Sequence, residues 1–434
     1  MKNLIVIIYT TKYRKGGDKF ARVAKTMASN LKSESNDIIC TAVESKKEIK
    51  DLFTTLKQEN KLISEFHFIG HAGMYGPMYG TVSYPEQFSP FELNTLDIPF
   101  GKSAKAYFHT CRSARWFAPY FSRINNVTTY GYHWYTAFSL DKDRFKMNFK
   151  NNSEKELYCF GCKGRKSHGY IASFKKIAGL MRAEKMVEFN PSQGKIDNTY
   201  DTVVNLYHNA FKDIKVRKDE YNWIARKLPK DERIKVLEIG CGNGALLREL
   251  SNRIEKGVGV DASEDFISLA KDYNKDIKNI NFQKIESHLL PFEDNSFDVV
   301  ISMLSFRYLD WDPILIEIER VLSKTGKLLI ADMVTAPIKW KEIPLFVKYK
   351  TINYINKYKN REFNLNLNKL VSDSNWKNML KYNPIRSEHE MRWYLESRFP
   401  NRKTEIINLG YNTRILAFDS INMSNLKKIK LSYP

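Results

Sequence analysis

Two sets of residues in this chain have types and spacings that could do chemistry. The first is Gly240-Cys241-Gly242-Asn243-Gly244, which follows the apolar run Val236 to Ile239. Glycines so spaced between a strand and a helix make a tight turn with no side chains in the way. A ligand can then touch the backbone and meet the N–H groups of the helix start. Asp261 follows about 20 residues on, where a carboxylate can accept two charge-assisted hydrogen bonds from ribose hydroxyls. The same spacing fits the dinucleotide form Gly-x-Gly-x-x-Ala through Ala245, so spacing alone leaves the ligand open. The second set is His71 and Cys111, each at the end of an apolar run. Adjacent parallel strands end on one sheet edge, where an imidazole can activate a thiol. The bland alternative is an inert buried thiol and a capping histidine. Cys159 and Cys162, with His168 nearby, have half the spacing of a zinc knuckle. A zinc site needs a fourth ligand and no second Cys pair follows, so no metal is expected.

The elements that position these residues follow from periodicity. Strands are predicted at about 4–9, 38–44, 66–71, 104–111 and 127–133, and helices at about 18–32, 48–57 and 114–124. This alternation reads as a parallel, helix-covered sheet. Residues 141–195 are Lys- and Asn-rich with weak periodicity, apart from a predicted helix at 170–187. A second alternation starts at about 196. A long helical stretch at 199–228 leads to the strand before Gly240. Helices at 245–253, 263–273 and 312–322 then alternate with strands at 257–261, 281–285, 297–302 and 327–332. The aromatic and basic stretch 337–384 reads as a helical insertion. Ser387-Glu388-His389-Glu390 fits a capping box opening a helix to about 398, and strands at 404–409 and 413–419 close the pattern. The expected architecture is α/β, with two doubly wound domains at 1–150 and 196–434 joined by a connecting segment at 151–195.

Composition removes several classes. With 43% hydrophobic and 27% charged residues, the 434-residue chain is neither disordered nor collagen-like. No apolar run reaches the roughly 18 residues of a membrane helix, and Leu4 to Ile8 is too short for a signal peptide, so no membrane partner is expected. Five cysteines are not a disulfide scaffold, which predicts reduced thiols and a cytoplasmic protein. The net charge is +21, with residues 1–200 holding 31 basic and 18 acidic residues. That excess admits an acidic partner for the N-terminal domain, though no nucleic-acid-binding motif accompanies it.

Four blocks in the second half carry a family resemblance. Val236-Leu237-Glu238-Ile239-Gly240-Cys241-Gly242-Asn243-Gly244 resembles motif I of the class I S-adenosylmethionine-dependent methyltransferases, with Glu238 where that family places an acid. Gly257 to Ser263 resembles its second motif, and Leu290 to Val300 its third. Arg320 to Leu328 resembles the block before the fifth strand, with Thr325-Gly326 in place of Pro-Gly. The resemblance covers about 196–335 and is strongest to the type 11 branch, which includes ubiquinone-biosynthesis enzymes. It implies a Rossmann-like fold and S-adenosylmethionine as cofactor. It places Gly240, Gly242 and Gly244 along the methionine and ribose, Asp261 on the ribose hydroxyls and Ala262 near adenine. Glu286, where the family usually has Asp, and the Ser287 amide would contact adenine. Ser302, Ser305, Phe306 and Tyr308, with Trp311, would face the methyl group, although Phe306 and Tyr308 could equally pack the domain. Methyl transfer from a sulfonium depends more on alignment and a water-poor pocket than on acid–base help. His288 is a base or a structural loop residue, and the acceptor atom stays open.

About 1–140 resembles the caspase-like (CHAT) cysteine peptidases, through Phe68-Ile69-Gly70-His71 and His109-Thr110-Cys111-Arg112-Ser113. The family's usual Gly after the histidine is Ala72 here. The resemblance implies Cys111 as nucleophile, His71 as base, and the amide of Gly73 or Cys111 in an oxyanion hole. The functional expectation is a methyltransferase acting on a small-molecule or peptide acceptor, fused to a caspase-like domain. The alternatives are chiefly a cysteine peptidase, or a basic binding module with an inactive N-terminal domain.

Overall fold

In the computed structural model, β1 (Asn3–Tyr9) buries five consecutive apolar residues, Leu4 to Ile8, as a strand covered on both faces must. Residues 2–427 are described, apart from 74, 82–84, 89, 148–155, 163–169, 192–199, 230–232, 287, 383–384 and 411. The chain divides into two units, Met1–Ile196 and Asp197–Pro434.

In the first unit, α1 (Gly17–Leu31) buries Phe20, Val23 and Ala24, and β2 (Asn36–Ala42) returns parallel to β1. Ser45 caps α2 (Lys46–Gln58) by accepting from the Glu48 amide. Strands β3 (Ile63–Ile69) and β4 (Phe100–His109), helix α3 (Phe117–Asn125) and strand β5 (Thr128–Gly131) continue the alternation. Then come β6 (Thr136–Ser139), β7 (Tyr158–Gly161), α4 (Tyr170–Ile177) and β8 (Val187–Phe189). The main sheet has the order β8-β5-β4-β3-β1-β2, with β8 antiparallel at its edge and the other strands parallel.

Residues 156–162 and 170–191 are thus built into this unit instead of forming the connecting segment expected at 151–195. Strands of three and four residues carry too little alternation to be read from sequence. Helix α4 is also shorter than predicted. The Leu180 amide bonds back to the Lys175 carbonyl and Gly179 is left-handed, which ends the helix.

In the second unit, α5 (Val204–Phe211) and α6 (Lys218–Lys227) replace the single stretch expected at 199–228. The break is at Asp213, whose carboxylate takes the Lys215 amide and starts a new turn. The Rossmann-like core runs β9 (Lys235–Ile239), α7 (Ala245–Leu250), β10 (Lys256–Asp261), α8 (Glu264–Tyr273), β11 (Ile280–Lys284), β12 (Phe297–Met303), α9 (Trp311–Val321) and β13 (Leu322–Thr335). The insertion is three helices, α10 (Ile343–Lys359), α11 (Arg361–Ser372) and α12 (Ser374–Tyr382). Ser387 caps α13 (Glu388–Arg398), and β14 (Glu405–Leu409) and β15 (Thr413–Asp419) complete the sheet. The order is β11-β10-β9-β12-β13-β15-β14, in which only β15 runs against its neighbours. Apolar clusters cover both faces. Strand order reverses at β9, so a ligand crevice is expected outside its carboxyl end.

A polar chain lies inside the first sheet. His67 Nδ1 is 3.2 Å from His109 Nε2, and His67 Nε2 is 3.3 Å from Glu65 Oε2. Burial, reinforced by His67, pushes the His109 pKa from 6.5 down to about 3. Between those values the unfolded chain binds the proton and the folded chain does not, so stability falls as pH falls below the unfolded value. Hydrogen exchange of β3 and β4 peptides should therefore show opening that becomes easier below about pH 6.5, by up to about 1.4 kcal/mol per pH unit. The His109→Asn variant should show a flatter dependence, and equal slopes in both would refute the assignment.

Candidate functional site

The turn after β9 is built from three left-handed glycines, Gly240 (φ 76°), Gly242 (φ 51°) and Gly244 (φ 73°). The amides of Gly240 and Cys241 donate to the Val260 carbonyl at 2.7 and 3.0 Å, so the end of β10 sets the path of the loop. The Gly242 amide donates to Asp261 Oδ2 at 2.9 Å, and the Ser263 amide donates to Asp261 Oδ1 at 3.0 Å. Burial raises the Asp261 pKa, and these amides oppose the rise. The Ser263 hydroxyl donates in turn to Asp201. Ala262 is exposed at the lip.

The three glycines are not equivalent. A Cβ on Gly240 would lie 2.3 Å from Ser305 Cβ, and one on Gly244 would lie 2.4 Å from the Phe282 ring. A Cβ on Gly242 would meet nothing nearer than Tyr207, at 4.0 Å. Only Gly242 therefore borders open space.

Glu238 lies beneath this turn with its side chain buried. Its pKa is raised well above the carboxylate range, first by burial and then by the charge of Asp261. Its Oε2 is buried without a hydrogen-bond partner. An unmet buried polar atom costs free energy, so this oxygen is suited to a donor supplied by a ligand.

On the other side of the crevice, β12 ends in Leu304, held left-handed at φ 60° with its amide on the Ala331 carbonyl at 2.8 Å. That turn presents Ser305, whose hydroxyl donates to the Ile239 carbonyl at 2.5 Å and lies 2.7 Å from the Ser302 hydroxyl. The Arg307 amide donates to Asp332 at 2.7 Å and its guanidinium pairs with the same carboxylate. Tyr308 meets the Tyr200 hydroxyl at 2.8 Å.

Of the two readings open for Phe306, the structure has the packing one. Its side chain is fully buried and stacks on Trp311 at 5.5 Å, because both rings close the core under α9. Glu286 follows β11 with its carboxylate largely in solvent and paired with Lys284 at 3.2 Å. Ser287 lies outside the described residues. His288 is half-buried, and burial lowers its pKa against the opposing charge of Glu317.

Tyr308 belongs to an aromatic roof whose other members the sequence reading missed. Tyr200, Tyr207, Phe266, Tyr308 and Trp376 pack edge to face around one centre. Asn243 ties the glycine turn to His208 at 3.1 Å, and α11 is fastened to the α5 segment through Asn366 to the Asn209 carbonyl at 3.1 Å. The only sequence signal for this was the aromatic density of 337–384 and of 200–211.

In the first unit, Ile69 and His109 are register partners on parallel strands, so His71 and Cys111 leave the same edge two residues later. His71 Nε2 is 3.0 Å from the Lys15 carbonyl, and Tyr13 and Phe20 pack on the imidazole edge to face. Burial lowers the His71 pKa. The Cys111 sulfur accepts from the Thr136 amide at 3.3 Å and lies 3.3 Å from its hydroxyl. Arg112 turns sharply after it at φ 63°. Cys159 bonds the His109 carbonyl, His168 is outside the described residues, and no group of three metal-ligating side chains occurs among the described residues.

A mostly parallel sheet of order β11-β10-β9-β12-β13-β15-β14, with a glycine turn after β9 and an amide-held carboxylate after β10, is a Rossmann-like fold. Residues 237–330 match the family model described as Methyltransferase domain. The uncharacterized methyltransferase YcgJ of Bacillus subtilis is 27% identical over 172 residues, 38% of this chain and 62% of that protein. Demethylmenaquinone methyltransferase of Lactococcus lactis is 33% identical over 26% of this chain and 49% of its own length. Sterol 4-C-methyltransferase strm-1 of Caenorhabditis elegans is 32% identical over 26% and 34%. A solved S-adenosylmethionine-dependent methyltransferase from Aquifex aeolicus is 17% identical, covering 52% of this chain and 99% of that one, with a TM-score of 0.34. The chain thus spans between a third and two thirds of the length of these curated relatives. The second unit carries a class I S-adenosylmethionine-dependent methyltransferase domain.

The glycine geometry predicts an ordering. Gly240→Ala and Gly244→Ala should each cost about 2–3 kcal/mol of stability through overpacking and strain. Gly242→Ala should cost only about 1 kcal/mol for its left-handed backbone. It should still weaken cofactor binding measured by calorimetry, and equal stability losses at all three positions would contradict this reading.

Proposed function

We propose that the chain transfers the methyl group of S-adenosylmethionine to a small-molecule or peptide acceptor held under the aromatic roof. The observation that carries this is the unmet Glu238 Oε2 beneath an open Gly242, beside a carboxylate aligned by two amides. When bound, the cofactor supplies an electrophilic methyl whose leaving group is a neutral thioether. Asp261 keeps lone pairs for two ribose hydroxyls. Glu238 accepts from a donor of the methionine portion. The backbone around Gly242 lets the ligand close to van der Waals contact. Tyr200, Tyr207, Tyr308 and Trp376 exclude water, and the paired Tyr200 and Tyr308 hydroxyls can hold a polar atom of the acceptor in line.

Removing two charge-assisted hydrogen bonds should weaken S-adenosylmethionine binding about 100-fold in Asp261→Ala, read by calorimetry on the full chain. Glu238→Gln should weaken it less while leaving the melting temperature near that of the parent. Unchanged affinity in both variants would remove the cofactor assignment.

A second reading concerns the first unit: a caspase-like thiol hydrolase with His71 as base and Cys111 as nucleophile. What favours it is the shared strand edge, together with an amide donated to the sulfur. With Nε2 donating to Lys15, the other imidazole nitrogen is the acceptor. Iodoacetamide should label Cys111 rapidly near neutral pH and more slowly in His71→Ala. Slow labelling in both proteins would leave this unit without a catalytic thiol.

A further inference from the structure

The start of the insertion carries an apolar surface that the methyl-transfer reading does not use. Trp340 is 80% exposed, Val347 55% and Ile343 39%. Trp340, Ile343, Pro344 and Val347 are spaced i, i+3, i+4 and i+7, so they form one stripe along the turn leading into α10. Tyr349, on the opposite side, donates its hydroxyl to the Ile407 carbonyl of edge strand β14 at 2.9 Å. The stripe therefore points away from the sheet. Lone exposed apolar residues are ordinary, but a contiguous stripe led by an exposed tryptophan marks an interaction surface.

Charge selects the partner. Lys341 and Lys348 flank the stripe on one side and Lys350 on the other, with Lys339 at its start, and all four are exposed. Glu342, the acid within this stretch, is taken up by Arg414 at 2.8 Å. A second copy of the surface would set lysines against lysines. A nucleic acid would use the lysines and leave Trp340, Ile343 and Val347 in water. An anionic bilayer satisfies both sets, with headgroup phosphates on the lysines and the acyl boundary on the apolar residues.

We propose that Trp340 to Lys350 is a peripheral docking surface for an anionic lipid bilayer. It needs no spanning helix, and no helix among the described residues is long and apolar enough to cross a membrane. The test is co-sedimentation of the full chain with vesicles of phosphatidylcholine alone or mixed with phosphatidylglycerol, at low and high salt. The chain should bind the mixed vesicles, and added salt should weaken the binding. Trp340→Ser with Val347→Ser should lower the partition about tenfold or more. Lys341→Glu with Lys348→Glu should do the same and gives an independent test should the apolar variant fold poorly. Both variants should keep the parent's S-adenosylmethionine affinity. The proposal fails if the parent does not bind mixed vesicles or if both double variants bind as the parent does. It also fails if the parent is a dimer that the apolar substitutions dissolve, which would assign the stripe to a second copy.

Discussion

The hydrogen bond from the Gly242 amide to Asp261 is the contact on which the crevice depends. It joins the loop after β9 to the end of β10, on one side of the point where strand order reverses. Gly240 and Cys241 reinforce it by donating to the neighbouring Val260 carbonyl. The result is a loop whose amides are spent on fixing its own path, with one open side at Gly242. Two carboxylates meet there in different surroundings. Asp261 is buried but held by amides, which favour its charged form. Glu238 has no such help, and the Asp261 charge raises its pKa further. The crevice therefore holds one carboxylate aligned by two amides and one with an unmet buried oxygen.

The roof follows from this arrangement. Ser263 passes the Asp261 contact on to Asp201, which brings the start of the second unit over the glycine turn. From there Tyr200 reaches Tyr308, whose backbone is set by the Leu304 turn and the buried Arg307–Asp332 pair. A buried ion pair is weak support for stability, since desolvation offsets its attraction. Its effect here is geometric: it fixes the direction in which residues 305–308 leave β12. The insertion then closes the remaining side through Trp376 and the α11–α5 contact.

What the sequence disclosed was whatever a short window can encode. The glycine turn, the strand ending in Asp261 and the capping serines are local, so their residues name their own conformations. The parallel, helix-covered layout followed from the alternation, because strands joined through helices favour it. The roof was not legible, since Tyr200 and Tyr308 are 108 positions apart and no periodicity links them. Phe306 stayed open between crevice and core for the same reason: only its stack on Trp311 and the packing of that ring on Tyr394 commit it to the core. The break at Asp213 was encoded locally, but its helical neighbours on both sides concealed it. Residues 156–162 and 170–191 escaped because strands of three or four residues have no measurable period.

The first unit shows how register alone separates buried from edge chemistry. His67 and His109 lie within their strands, where the sheet face, Tyr107 and each other enclose them. There burial keeps the His109 imidazole neutral, at the end of a fixed chain that runs from Glu65 through His67. His71 and Cys111, a few residues later, have left the ladder and meet loop groups instead, the Lys15 carbonyl and Thr136. The Cys111 sulfur accepts from the Thr136 amide while the His71 ring is held at the Lys15 carbonyl, so the two side chains have separate structural supports. A sheet built this way keeps its buried histidines for structure and leaves its carboxyl edge free to carry chemistry, which is also how the second unit uses its glycine turn.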